Sequence, residues 1–188
     1  MPHWNVSVLV GSLRQKSVSK KVARALVKLA PAELRCSFIE IGDLPLYNED
    51  LEADPPAAFT RFRGAIAPSD ALLFVTPEFN RGIPGLLKNA IDVGSRPWGK
   101  SVWSGKPGAV ISQSYGALGG FGAHHQLRQV LAGVNVAVMA HPEAYLSTAG
   151  ALFDEAGELV NDSSREFLSG FMLAFKAWIE QQRRPAAG

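Results

Sequence analysis

Three stretches of the chain gather residue types that can do chemistry. The first is Gly11-Ser12-Leu13-Arg14-Gln15-Lys16-Ser17-Val18-Ser19, which lies between an apolar run and a helical pattern. A helix that starts there presents unpaired backbone N–H groups and the positive end of its dipole, which together attract an anion. Ser12, Ser17 and Ser19 add hydroxyl donors, and Arg14 adds a charged fork suited to phosphate oxygens. Neither Gly-x-x-x-x-Gly-Lys-Ser/Thr nor Gly-x-Gly-x-x-Gly occurs here. A phosphomonoester therefore fits better than a P-loop nucleotide or a dinucleotide pyrophosphate. The same serines could act only as helix caps, a role that needs no ligand.

The second stretch runs Pro77-Glu78-Phe79-Asn80-Arg81-Gly82-Ile83-Pro84-Gly85-Leu86-Leu87-Lys88-Asn89-Ala90-Ile91-Asp92. Its prolines and glycines fix one backbone path instead of a loose link. Such a turn can wall a planar ring, with amides at the edge and flat or apolar side chains across the face. Against this, Glu78 and Asn80 could serve only local backbone groups, and Lys88 with Asp92 at i,i+4 could be a surface ion pair. The third stretch, Gly116 to Gly122, is rich in glycine and leads to a helical pattern.

Other candidates carry less. His124 and His125 are adjacent on a predicted helix and point apart, so they read as surface or interface residues and not as a metal pair. Arg96 could meet a phosphate or be a solvated arginine. Trp98 and Trp103 could overhang a site or pack a loop. Cys36, in a predicted strand without a base or cation beside it, reads as inert core. No nucleophile–base pair and no metal cluster can be assembled, so neither a catalytic side chain nor a metal site is expected.

The elements that must position these stretches alternate in type. Strands are predicted at Trp4 to Val10, Arg35 to Ile41, Ala71 to Thr76, Ala109 to Ser112 and Val134 to Met139. Helices are predicted from Val18 to Pro31, over Phe59 to Ala67, over Pro84 to Val93, around Leu127, Val130 and Leu131, and through Phe167, Phe171, Phe175 and Trp178. Ser163 and Glu166 have the spacing of a capping box for the last helix. This alternation implies an α/β fold with helices on both faces of a five-stranded parallel sheet in the order 2-1-3-4-5. The whole chain, residues 1–188, reads as one domain. In such sheets ligands bind at the carboxyl ends of the strands, which is where all three stretches fall.

Composition bounds the rest. Of 188 residues, 47% are hydrophobic and 19% charged, which suits a globular domain and argues against disorder. A net charge of +2 with no basic block gives no sign of nucleic-acid binding. No apolar run approaches the roughly 20 residues that span a bilayer. The N-terminus, Met-Pro-His-Trp-Asn, has no signal-peptide pattern, and there is a single cysteine. A cytoplasmic location is the expectation.

The elements GSLRQKSVS at 11–19, PEFNRGIPGLLKNAID at 77–92 and SYGALGG at 114–120, with HQLRQVL at 125–131 behind them, resemble the NADPH-dependent FMN reductases of the flavodoxin superfamily, especially the bacterial chromate and quinone reductases. The resemblance covers nearly the whole chain. It implies a three-layer flavodoxin-like domain that binds FMN and oxidises NADPH or NADH. Ser12, Arg14, Ser17, Val18 and Ser19 would hold the FMN phosphate. Pro77, Glu78, Phe79, Asn80 and Arg81 would line the isoalloxazine ring, with Ser114 and Gly116 on its other side. Hydride would pass to the flavin and electrons then to quinones, chromate or azo compounds, in ping-pong fashion. The family's unit is a homodimer or a tetramer.

The sequence departs from the family pattern at several of these positions. Ser19 replaces the usual asparagine, Phe79 a tyrosine, and Arg81-Gly82 an aromatic-serine pair, so a more basic and more open entrance is expected. Gly122, His125 and Glu143 stand where some relatives carry an arginine–tyrosine–glutamate network that builds a tetramer. Two of the three partners are missing, and a dimer is the expectation. Two other functions are possible on this fold. An electron carrier of the flavodoxin type is typically acidic, with a Thr-rich phosphate loop, unlike this chain. A signalling receiver needs acidic residues at strand ends for Mg²⁺, and Val10-Gly11 and Thr76-Pro77 supply none.

Overall fold

A computed structural model describes residues 3–183. Six strands, β1 (Trp4–Val10), β2 (Leu34–Phe38), β3 (Ala71–Pro77), β4 (Pro107–Gln113), β5 (Ala137–Val138) and β6 (Ala144–Leu146), alternate with five helices. These are α1 (Val18–Leu29), α2 (Ala57–Ile66), α3 (Gly85–Ser95), α4 (Phe121–Gly133) and α5 (Asp162–Gln182). All strand pairs are parallel, in the order β2-β1-β3-β4-β5, with β6 also paired to β4. The flavodoxin-like order read from the sequence is the one found.

β3 is central because all of Ala71 to Thr76 is buried, a run that only a strand covered on both faces can carry. Successive side chains of the sheet feed two cores. On one face Val8, Val75 and Ile111 pack with Leu26 of α1 and Phe171 and Phe175 of α5. On the other, Leu9, Leu72 and Phe74 pack with Phe62 of α2, Ile91 of α3 and Leu127 of α4. Trp103 is fully buried in the second core, its indole N–H donating to the Ile91 carbonyl at 2.8 Å. It packs a core, whereas Trp98 is 87% exposed.

Three local expectations need correction. The predicted strand Val134 to Met139 is present only as Ala137–Val138, and β6 resumes the pairing with β4 at Ile111↔Ala144. The break falls around His141-Pro142, where proline has no N–H for the ladder. The cap of α5 is Asn161, whose side chain accepts from the Ser164 amide at 2.8 Å; the Ser163/Glu166 box does not form. β2 ends at Phe38, short of the expected Ile41.

Candidate active site

The chain crosses from β1 to α1 and from β3 to α3 within van der Waals reach of itself. A Cβ on Gly11 would lie 3.2 Å from Pro77 Cδ and 3.3 Å from Leu87 Cδ2, so any larger residue would push the two loops apart by a few tenths of an ångström. Beside this crossing, at the carboxyl ends of β1, β3 and β4, opens a cavity of about 500 Å³. Of the residues expected there, Ser12, Arg14, Ser17, Val18, Ser19, Pro77, Glu78, Phe79 and Ser114 line it. Asn80, Arg81 and Gly116 do not. Leu13, Pro84, Leu86, Gln113 and Tyr115 also line the cavity, and the sequence reading had not singled them out for it.

The first loop does two things at once. Ser17 caps α1, its Oγ accepting from the Lys20 amide at 3.2 Å, as the capping alternative requires. Its hydroxyl hydrogen remains free to donate. Among the described residues, the Val18 and Ser19 amides donate to no protein acceptor, so the helix start faces the cavity with open donors. Arg14 is exposed at the rim. Ser19 is fully buried, and its Oγ accepts from Gln113 Nε2 at 2.9 Å.

The second loop is a two-residue hairpin. Phe79 and Gly82 exchange both backbone hydrogen bonds at 3.0 Å, and Asn80 and Arg81 at the tip have φ of 50° and 65°. Positive φ at both central positions is the geometry of the tight primed turns, and it lifts Asn80 and Arg81 out of the cavity. Glu78 is turned toward α4: its Oε2 accepts from the Ala123 amide at 3.2 Å and its Oε1 meets the exposed Arg81 at 3.3 Å. The Ile83 amide donates to Gln126 Oε1 at 2.7 Å, a second tie to the same helix. Pro77, Phe79, Pro84 and Leu86 are left as the apolar side of the cavity, with Phe79 68% exposed. In the third loop Ser114 Oγ donates to the Gly116 carbonyl at 3.0 Å.

A groove of about 780 Å³ adjoins this cavity and shares Ser17, Val18 and Tyr115 with it. Lys16, Lys21, Arg24, Lys28 and Arg165 face Glu155 and Glu158 across it, so the loop after β1 sits in a positive field that concentrates anions.

Several residues lie elsewhere. Arg96 is neither solvated nor at the cavity: it is held by Glu49 at 3.2 Å, Glu52 at 3.0 Å and the Tyr47 hydroxyl at 3.0 Å. Lys88 and Asp92 form the expected i,i+4 ion pair at 2.8 Å. His125 is exposed, as expected, and meets the Tyr145 hydroxyl at 3.1 Å. His124 is not a surface residue. It is fully buried against the Tyr145 ring, with centroids 4.5 Å apart, and neither ring nitrogen has a protein partner. Burial, and then the Arg128 and His125 charges, bring its pKa down to about 4. Cys36 is half-buried, and desolvation raises its thiol to about 11. Among the described residues no group of acidic, His or Cys side chains is arranged to hold a metal.

A parallel sheet in the order 2-1-3-4-5 with a cavity at its strand ends, open helix amides, serine donors and an apolar wall is the arrangement of a flavodoxin-like protein. The model of the NADPH-dependent FMN reductase family matches residues 4–151, and the chain belongs to that family. It is 57% identical to a quinone reductase of Pseudomonas putida over 96% of this chain and 97% of that one. It is 45% identical to a 2-hydroxy-1,4-benzoquinone reductase of Burkholderia sp, over 95% and 97%. Among solved structures, the flavoenzyme NAD(P)H:(acceptor) oxidoreductase FerB of Paracoccus denitrificans superposes with a TM-score of 0.90 at 42% identity, covering 95% of this chain and 98% of that one.

The protein is thus an oxidoreductase enzyme with FMN and NAD(P)H as cofactors. The site fits FMN on its own terms: free amides and hydroxyls for a phosphoryl group, the buried and unpartnered Gln113 Oε1, and an apolar side for a ring.

Proposed function

We propose that this enzyme is an NAD(P)H-dependent quinone reductase in which donor and acceptor take turns at one flavin face. The residues of the strand-end cavity would hold FMN, which would supply two-electron redox chemistry between the nicotinamide and the acceptor. The observation that carries the reading is the single-sided shape of the strand-end cavity. Pro77, Phe79, Pro84 and Leu86 line it as an apolar side, and the groove that adjoins it at Ser17, Val18 and Tyr115 gives access from the other. A dinucleotide and a quinone are both flat at their reacting ends, and each would use that open side in turn, which is ping-pong kinetics.

Ser12, Arg14, Ser17, Val18 and Ser19 hold the phosphoryl group with hydroxyls, amides and a guanidinium. The Pro77–Phe79 segment orients the ring and excludes water from its far side. Asn80 and Arg81 shape the turn and the charge at the entrance, and Ser114 with Gly116 fixes the third loop. No side chain has to move a proton for hydride transfer, so no catalytic acid or base is assigned. The names of the relatives at 57% and 45% identity support quinones as acceptors.

The working form is a homodimer in the cytoplasm. The exposed Leu118 and Phe121 near the start of α4 supply apolar surface for self-association. At the positions of the tetramer network, His125 and Glu143 both turn to Tyr145 of their own chain.

Initial rates of NADPH oxidation with a benzoquinone as varied acceptor test this. Parallel double-reciprocal lines are expected, with chromate and an azo dye as slower acceptors in the same assay. Intersecting lines would exclude the alternating mechanism. An enzyme faster with chromate than with quinones would exclude the quinone assignment.

A further inference from the structure

We propose that Gln113 is a flavin-positioning residue: its amide nitrogen fixes Ser19, and its carboxamide oxygen accepts a hydrogen bond from a ribityl hydroxyl of FMN. Gln113 is the last residue of β4, 4% exposed, and its side chain lines the strand-end cavity. Its backbone lies beside Pro77 in the register of β3 and β4. Its Nε2 reaches Ser19 Oγ at 2.9 Å, across 94 residues of sequence. One side chain therefore joins the strand under the ring wall to the helix that begins at the phosphate loop.

The other end of the same carboxamide, Oε1, is buried and has no hydrogen-bond partner. A buried acceptor without a donor loses its hydration for nothing in return, so native structures rarely leave one unpaired. The natural donor comes from whatever fills the cavity. The phosphoryl group is itself an acceptor and is served by the amides, hydroxyls and Arg14. The isoalloxazine belongs against the apolar side. The hydroxylated chain between the two is the part of FMN that can donate, and Gln113 sits between the phosphate loop and Pro77. Because Ser19 Oγ accepts from Gln113, its own hydrogen is free to point at another acceptor. Gln113 thus serves the cofactor at two points, once directly and once through Ser19.

The inference rests on FMN occupying this cavity. The test is equilibrium titration of the apoprotein with FMN and, separately, with riboflavin, followed by flavin fluorescence, for wild type, Gln113→Leu and the double variant Ser19→Ala/Gln113→Leu. The double variant removes both ends of the buried bond, so no hydroxyl is orphaned. The melting temperature of each apoprotein shows that it is folded.

Gln113→Leu is expected to weaken riboflavin by about tenfold, as loss of one buried hydrogen bond would, and FMN by at least as much, because Ser19 also loses its tether at the phosphoryl end. The double variant should be at least as weak for both. Weaker FMN with unchanged riboflavin would place Gln113 on the phosphoryl group and overturn the ribityl contact. A lower melting temperature with both affinities unchanged would make Gln113 only a strut between β4 and α1, and would overturn the proposal. Should the wild type take up neither flavin, it is the FMN assignment itself that falls.

Discussion

The Glu78 carboxylate accepts a hydrogen bond from the Ala123 amide at 3.2 Å, tying the hairpin after β3 to the first turn of α4. The interaction satisfies an open helix amide with a negative charge at the positive end of the dipole. A Cβ on the adjoining Gly122 would lie 3.0 Å from the same carboxylate and 2.9 Å from the Arg81 carbonyl, so the close approach depends on glycine. Glu78 therefore holds the hairpin in place through its carboxylate, even though the residue also lines the cavity.

Glu78→Ala is expected to lower stability by about 1 kcal/mol, the usual worth of a helix cap, and to loosen flavin binding as the hairpin slackens. Glu78→Gln keeps an oxygen at the same place and should retain most of both. Thermal melts of the apoprotein and an FMN titration on each variant check this; equal behaviour of Ala and Gln would rule out the cap.

In the proposed site Arg14 would contribute charge at the phosphate end alone. Arg14→Ala should weaken FMN by roughly 1.5–3 kcal/mol, the range for a hydrogen bond to a charged group, and leave riboflavin binding unchanged. An FMN affinity equal to wild type would remove Arg14 from the site.

Arg81 sits at φ 65°, where a side chain is strained and glycine is not. Arg81→Gly should stabilise the hairpin by up to about 1 kcal/mol, less the small contribution of its exposed ion pair with Glu78. Arg81→Val, β-branched in the same conformation, should destabilise. Denaturant midpoints for the two variants should move in opposite directions.

His124 makes stability depend on pH. Its folded pKa is about 4 against an ordinary 6.5. The unfolded chain therefore takes up a proton between those values while the folded chain does not. Stability contributed by neutral, buried His124 is complete above pH 6.5, falls as the pH drops toward 4 and is gone below that, a change of up to about 3 kcal/mol. His124→Phe should flatten the unfolding free energy over that window. A slope equal to wild type would refute the assignment.

Cys36, with its thiol at about 11, is almost wholly protonated at neutral pH. Its reaction with a disulfide reagent at pH 8 should be at least about tenfold slower than that of free cysteine, and activity should survive once it has reacted.

What the sequence made legible was whatever local chemistry decides. Five consecutive apolar residues from Ala71 to Val75 can hardly be anything but a central strand, and serines before Val18 can hardly avoid the start of a helix. Gly11 and Pro77, at the carboxyl ends of two expected strands, likewise placed the cavity. Contacts between distant segments were not legible. Ser19 meets Gln113 from 94 residues away, and the one hint was a carboxamide at the carboxyl end of an apolar strand, where ligands dock. Arg96 finds Glu49 and Glu52 only because a separate loop folds over it. The burial of His124 depends on Tyr145, which β6 delivers, and β6 itself lies past the interruption at His141-Pro142, beyond the expected strand's end at Met139.

That interruption has a bearing on solubility. The outer border of the sheet is formed by segments of two and three residues, too short to template another chain. The Ala137 carbonyl is already taken by the Trp178 indole at 2.8 Å, and that of Met139 by Arg128 at 2.9 Å. A neighbouring molecule arriving strand-first along this side finds the Ala137 and Met139 carbonyls engaged, so the opposite border, β2, is the side of the sheet where another chain could pair.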